Sequence, residues 1–151
     1  VELKGEGRAI MRSQLPNAES SVLRDAYRIG SESQIVAAAG LPRITVGSHT
    51  WSHSNLASLD LARIDEELRA SRDWLRERAG SFIPWLSYPY GLFSPDVERI
   101  ASDLNYDGSL MVDGGWVGAR ARAPHRIPRF NVPARISVDG FRLRLSGLGA
   151  T

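Results

Sequence analysis

The chain has 151 residues, 42% hydrophobic content and a formal net charge of +2. This length suffices for one hydrophobic core and is short for two ordinary domains, so we expect a single domain over residues 1–151. The lack of cysteine excludes disulfides and thiolate metal sites. No apolar run approaches the ~20 residues that a membrane span requires, and the N-terminus has no secretion-signal pattern, so the sequence leaves the localisation open.

Basic residues are concentrated near the C-terminus. Residues 113–151 hold seven Lys+Arg against two Asp+Glu. Such a tail could bind nucleic acid or another anionic polymer. Almost every basic residue in the chain is arginine, which indicates a compositional habit more than a dedicated phosphate-binding face. We therefore expect no nucleic-acid partner.

From residue 31 onward, helical and strand patterns alternate, after an irregular lead over residues 1–30 with a short helix near Glu19–Tyr27. The predicted helices are 31–40 with Ser31 as N-cap, a long one from Ser58 or Asp60 to Gly80, one that starts at Ser94–Pro95, and Val138–Leu145. The predicted strands are Ile44–Gly47, Phe82–Tyr88, Gly108–Val112 and Ile127–Val132.

The alternation of strands and helices predicts an α/β fold with a parallel sheet and flanking helices, in which functional groups lie at the carboxyl ends of the strands. In the long helix, Glu66 and Glu67 are assigned to a charged outer face. We expect the sheet to have open strand edges. Residues 1–30, a homo-oligomeric partner or further sequence would need to cover them.

Two of the three histidines, His49 and His53, directly follow the first predicted strand. A spacing of four is about one helical turn, so both imidazoles can leave one side of a turn and share a metal ion such as zinc. Alternatively, they are hydrogen-bonded core histidines in a turn capped by neighbouring hydroxyls. Thr50 stands where the helical zinc proteases need glutamate, which excludes that enzyme class.

Three stretches in order carry a resemblance to a known family. Gly47–Leu56 reads Gly-Ser-His-Thr-Trp-Ser-His-Ser-Asn-Leu, the long helix follows, and Leu86–Gly91 reads Leu-Ser-Tyr-Pro-Tyr-Gly. Together they resemble the polysaccharide deacetylase family of chitin, peptidoglycan and nodulation-factor deacetylases. The family-like core is residues 31–133, followed by a C-terminal helix and tail over 134–151. Since the family's barrel has about seven strand-helix units and this chain supplies about four, the resemblance implies an incomplete (β/α) barrel.

The resemblance implies metal-dependent removal of acetyl groups from an N- or O-acetylated polysaccharide or oligosaccharide. A divalent ion, zinc or alternatively cobalt or nickel, would be held by His49, His53 and an aspartate. By position, Tyr90 supplies the backbone N–H that stabilises the oxyanion.

Three further residues are candidates for substrate binding. Trp51 and Tyr88 could present an aromatic face or a hydroxyl to a sugar, with core packing as the alternative. In the family, an arginine is commonly the first residue of the motif that Leu86–Gly91 resembles, and Ser87 occupies its position here. Arg129, in a segment similar to the family's Arg-x-Pro-Arg, could replace that arginine, with a solvent-facing position as the alternative.

Two family motifs are missing. Nothing in residues 1–42 resembles the Asp-Asp motif that supplies the catalytic base and third metal ligand, and no Leu-x-His motif supplies a general acid. His125 could act as an acid, although we expect it in a surface loop. The acidic residues upstream of the histidines that are available for these missing roles are Glu2, Glu6, Glu19, Asp25 and Glu32.

Two interpretations therefore remain. In one, the chain is the C-terminal portion of a working deacetylase whose aspartates lie upstream of Val1. In the other, it is complete and is a non-catalytic relic that binds a glycan, a metal ion or a protein. For the chain by itself we expect weak metal binding, because two imidazoles and water form a poor ligand set, and no acetate release from chitin oligomers.

Overall fold

Helices and strands alternate in a computed structural model that describes residues 30–117, 123–133 and 135–147. The helices are α1 (Glu32–Ala39), α2 (Leu61–Arg78), α3 (Pro95–Asp103) and α4 (Val138–Leu145), and the strands are β1 (Val46–Ser48), β2 (Phe82–Ser87), β3 (Gly108–Gly114) and β4 (Ile127–Arg129). The predicted helix near Glu19–Tyr27 and the candidate acids Glu2, Glu6, Glu19 and Asp25 lie outside the described residues.

The four strands form one parallel sheet in the order β1-β2-β3-β4. Each strand is joined to the next by a connection that returns to the same end of the sheet, so all four carboxyl ends lie along one edge. This confirms the predicted α/β fold with parallel strands and flanking helices. An open four-stranded sheet of this kind is consistent with part of a barrel.

The helices begin at the caps that the sequence predicts. Ser31 forms a capping box with Gln34, Asp60 accepts the Arg63 backbone N–H at 2.9 Å, and Ser94 caps α3. The strand bounds differ more. β1 begins at Val46 and not at Ile44, because the Ile44 N–H is hydrogen-bonded to the Leu41 carbonyl in a turn.

The core lies between the sheet, α2 and α3. Its largest cluster of buried side chains is Leu56, Ile64, Leu68, Leu86, Tyr88, Val97, Ile100, Ala101, Leu104 and Tyr106. The longest described helix, α2, contributes Ile64, Leu68 and Leu75 at helical spacing, which is the apolar stripe expected of an amphipathic helix. None of the described helices has the length and apolar composition needed to cross a membrane.

Candidate metal-binding site

The imidazole rings of His49 and His53 meet at the carboxyl end of β1. Their centroids are 4.8 Å apart, and the planes cross at 77°. Both side chains are exposed. Two imidazoles at this separation on a solvent-facing edge can direct nitrogen lone pairs at a common point, which is the arrangement that a shared metal ion requires.

The backbone brings the rings together without a helical turn. Thr50 and His53 have left-handed φ values of 67° and 60°, and no helix lies between β1 and the short 3₁₀ turn at Leu56–Ser58. The geometric reason given above, a spacing of one helical turn, is therefore wrong. Convergence depends instead on two non-glycine residues in a conformation that the surrounding structure must hold.

His49 is oriented by the neighbouring strand. Its Nδ1 lies 2.6 Å from the backbone carbonyl oxygen of Ser87, the last residue of β2. A carbonyl oxygen can only accept, so Nδ1 is the donor, and in the neutral imidazole Nε2 then keeps its lone pair. Metal-ligating histidines commonly donate their other ring N–H to a carbonyl in this way, because the bond fixes the tautomer and the ring orientation.

The turn after β2 reaches the same point. Tyr90, within the 3₁₀ turn Pro89–Gly91, has φ 60° and ψ 2°. Its ring centroid is 5.0 Å from that of His53, and 62% of the residue is exposed. The structure thus brings His49, His53 and Tyr90 together at the carboxyl ends of β1 and β2.

Comparison with known proteins identifies the domain. Residues 23–109, more than half of the chain, match the family model described as polysaccharide deacetylase. The chain belongs to the polysaccharide deacetylase family. No match was found among curated proteins.

Two solved structures show the same fold. The Streptococcus pyogenes deacetylase PplD, solved in complex with acetate, is 21% identical with a TM-score of 0.59, over 66% of this chain and 43% of that protein. A Bacillus anthracis protein assigned as a polysaccharide deacetylase is 20% identical with a TM-score of 0.70, over 80% of this chain and 38% of that protein. The chain therefore spans less than half the length of either protein.

The deacetylase-family loop between the two histidines is held by a residue that sequence reasoning misplaced. Glu67 was assigned to the outer face of α2, but it is only 2% exposed, and its carboxylate accepts three hydrogen bonds from Trp51 and Ser52. Glu67 lies three residues after Ile64 and four before Ser71, so its helical spacing already placed it on the buried face.

The predicted substrate-binding residues occupy different environments in this deacetylase-family domain. Trp51 is 56% exposed beside the histidines. Tyr88 is fully buried, stacks on Phe93 with centroids 5.0 Å apart and donates its hydroxyl to the His125 carbonyl at 3.0 Å. Burial raises the pKa of Tyr88 to about 12. Its side chain packs in the core beneath the site, which was the alternative stated above, and it presents no surface to a sugar.

Arg129 ends β4, at the same edge of the sheet as the histidines, with β2 and β3 lying between β4 and β1. It pairs in register with Gly114 of β3 and is partly buried.

His125 lies in the turn that precedes β4. Its side chain is partly buried, and Nδ1 lies 3.0 Å from the Ser109 hydroxyl. Burial lowers the pKa of His125, an effect that the charge of Glu98 partly opposes. These contacts attach the segment before β4 to the sheet, which is a structural role.

A third ligand is absent from the part of the chain that the structure describes, where no group of three or more His, Cys, Asp or Glu could hold a metal ion. Of the upstream acids, Glu32 is the described one, and its carboxylate accepts a hydrogen bond from Arg78. An open groove of about 450 Å³ runs beside His49 along β1. Its lining includes Glu32, Thr50, Trp51 and Trp74.

Proposed function

We propose that the chain forms part of a metal-dependent carbohydrate deacetylase that hydrolyses acetyl groups of an N- or O-acetylated polysaccharide or oligosaccharide. One observation carries the proposal. The ring centroids of His49 and His53 lie 4.8 Å apart, and in the neutral imidazole the bond from His49 Nδ1 to the Ser87 carbonyl leaves the Nε2 lone pair free to coordinate. Family membership supports the reaction class.

The donor set fits a borderline-soft divalent ion, with zinc favoured and cobalt or nickel as alternatives. When bound, such an ion supplies Lewis acidity toward an acetyl carbonyl and lowers the pKa of its water. His49 and His53 provide two ligands. We propose that the third ligand and the catalytic base are acids outside the described residues, since those residues contain no group of three potential ligands.

The remaining residues are proposed to act on the substrate. The Tyr90 backbone N–H is the proposed donor to the oxyanion, because the turn places this residue against His53. The exposed face of Trp51 is proposed to stack on a sugar ring beside the reacting group. Arg129 is proposed to contact the anionic or polar flank of the polymer at the end of β4.

The metal site is tested by zinc titration of the protein with NMR detection of the three histidine ring signals. We expect the signals of His49 and His53 to shift together. Each of His49→Ala and His53→Ala should abolish the response of the remaining ligand. His125→Gln is the matched control, because His125 is bonded to Ser109 away from the pair. A zinc response confined to His125, or none at either ligand, would refute the site.

A non-catalytic glycan- or metal-binding domain is the second candidate, and the lack of a three-ligand group among the described residues favours it. The reading frame upstream of Val1 separates the two. A strand that ends in Asp-Asp would support the enzyme, and acetate release by that longer protein should then depend on His49. Glycan binding without acetate release would favour the second candidate.

A further inference from the structure

We infer that the buried carboxylate of Glu67 is a positioning residue that holds the loop between His49 and His53 so that the two imidazoles face one point. This inference rests on the proposed metal-binding function of the histidines. It concerns a residue of α2 whose carboxylate contacts the backbone and the Ser52 hydroxyl of this loop.

Both carboxylate oxygens of Glu67 are used by this loop. Oε2 accepts the backbone N–H groups of Trp51 and Ser52, at 3.0 and 2.8 Å. Oε1 accepts the Ser52 hydroxyl at 2.5 Å. Because Trp51 and Ser52 lie midway between the histidines in sequence, these bonds fix the path of the backbone from one metal ligand to the other.

The loop needs such an anchor because its backbone is locally unfavourable. Thr50 and His53 have left-handed φ values, and neither is a glycine. Residues in this region persist when surrounding contacts over-determine them. The three bonds to Glu67 bind the stretch between these two residues directly, and each is strengthened by the negative charge of the acceptor.

If Glu67 acted only by stabilising the fold through an ion pair, a basic group should lie at hydrogen-bond distance from its carboxylate. The nearest basic group is Arg63 Nη2, at 3.9 Å, and the Arg63 side chain is 52% exposed. The described contacts of the carboxylate at hydrogen-bond distance go to the histidine loop. One turn further along α2, the buried Ser71 hydroxyl lies 2.7 Å from that of Ser48 and attaches the end of β1 separately. Loss of Glu67 should therefore free the loop while β1 stays attached.

The test compares Glu67→Gln and Glu67→Leu with Glu66→Gln. The Gln amide oxygen can accept both N–H groups and its NH₂ can donate to Ser52, so it should preserve the geometry. Leu keeps the apolar volume but removes every acceptor. Glu66, one position earlier on α2, is 63% exposed and pairs with Arg63, so it is the matched control.

The readouts on metal-free protein are the nuclear Overhauser contact between the two histidine rings and the hydrogen-exchange protection of the Trp51 and Ser52 amides. We expect both to persist in Glu67→Gln and Glu66→Gln. In Glu67→Leu the ring contact should be lost and protection should fall by about tenfold or more, since the acceptor is gone. Zinc affinity should fall about 10–100-fold, as for other residues that orient ligands.

The outcomes separate the inference from the proposed function. If the wild type shows the ring contact but binds no zinc, the metal proposal fails and the positioning role stands. A folded Glu67→Leu variant that keeps the ring contact and the protection would overturn the inference. If Glu67→Leu does not fold, Ser52→Ala, which removes the hydroxyl contacts with Glu67 and Ser54, is compared with Ser54→Ala, which removes the contact between the two serines alone. A weaker ring contact in Ser52→Ala than in Ser54→Ala supports the role, and equal ring contacts in the two variants overturn it.

Discussion

Left-handed backbone conformations surround the candidate site. Thr50, His53, Tyr90 and Gly91 all have φ between 60° and 70°, and only the last is a glycine. Gly91 also packs closely against β3, because a Cβ at this position would lie 2.7 Å from Val112 Cγ1. The position of Tyr90 against His53 therefore depends on a residue without a side chain.

We predict that Gly91→Ala destabilises the protein by about 1–3 kcal/mol, since the added methyl group overlaps the β3 side chain and φ is unfavourable for alanine. Urea unfolding measures the change. Gly80→Ala is the matched control, because a Cβ there meets nothing within 4 Å. Equal stability of the two variants would contradict the close approach to β3.

At the scale of the element, α2 has two roles on one face. Its apolar residues, such as Ile64 and Leu68, pack into the core, while Glu67 and Ser71 hold the loop and the end of β1. The register of the helix therefore sets the site, and the N-cap that starts the helix contributes to that register.

We predict that Asp60→Ala lowers the free energy of unfolding by about 1 kcal/mol, because the Arg63 N–H loses its acceptor. Asp60→Asn should retain most of the stability, as asparagine also caps helices. Thermal unfolding of both variants gives the comparison. Equal losses for Ala and Asn would show that the capping bond is not the cause.

At the scale of the whole molecule, the segment before β4 joins separate elements. His125 contacts Ser109 of β3 and accepts the Tyr88 hydroxyl. Arg126 forms two hydrogen bonds with Glu98 of α3, at 2.5 and 2.7 Å. The bond from Arg126 lowers the pKa of Glu98. Titration of His125 and titration of Glu98 therefore affect stability in different pH ranges.

We predict that stability falls in two ranges as the solution is acidified. The pKa of His125 is lowered from its ordinary 6.5, so below pH 6.5 the unfolded chain takes up the proton first and the folded state loses stability down to the lowered pKa. The contribution of Glu98 is present above its ordinary pKa of 4.5 and is lost as the pH falls through its lowered value.

Urea unfolding across pH measures both contributions. His125→Gln should flatten the slope below pH 6.5, and Glu98→Gln should flatten it only below about pH 4.5. An unchanged slope below pH 6.5 in His125→Gln would contradict the role assigned to His125.

Local sequence patterns predicted most of the helices and strands. Capping residues such as Ser31, Asp60 and Ser94 act within one turn of chain, so they mark helix starts without tertiary information, and α4 has the predicted bounds. Strand bounds were less accurate, because a strand ends where its partner stops pairing. The error at Glu67 had another cause, because its spacing from Ile64 along α2 already placed it on the buried face, whereas the loop that it contacts is distant in sequence.

The sequence by itself determined the alternation of elements, the family motifs and the placement of both histidines at the end of a strand, because these depend on short-range periodicity and capping. Tertiary structure decided how the rings converge. Ser87 lies 38 positions from His49, and Glu67 lies 15 from Ser52. Hydrogen bonds between residues so far apart in sequence form only when the sheet and α2 have packed, so spacing along the chain could not reveal them.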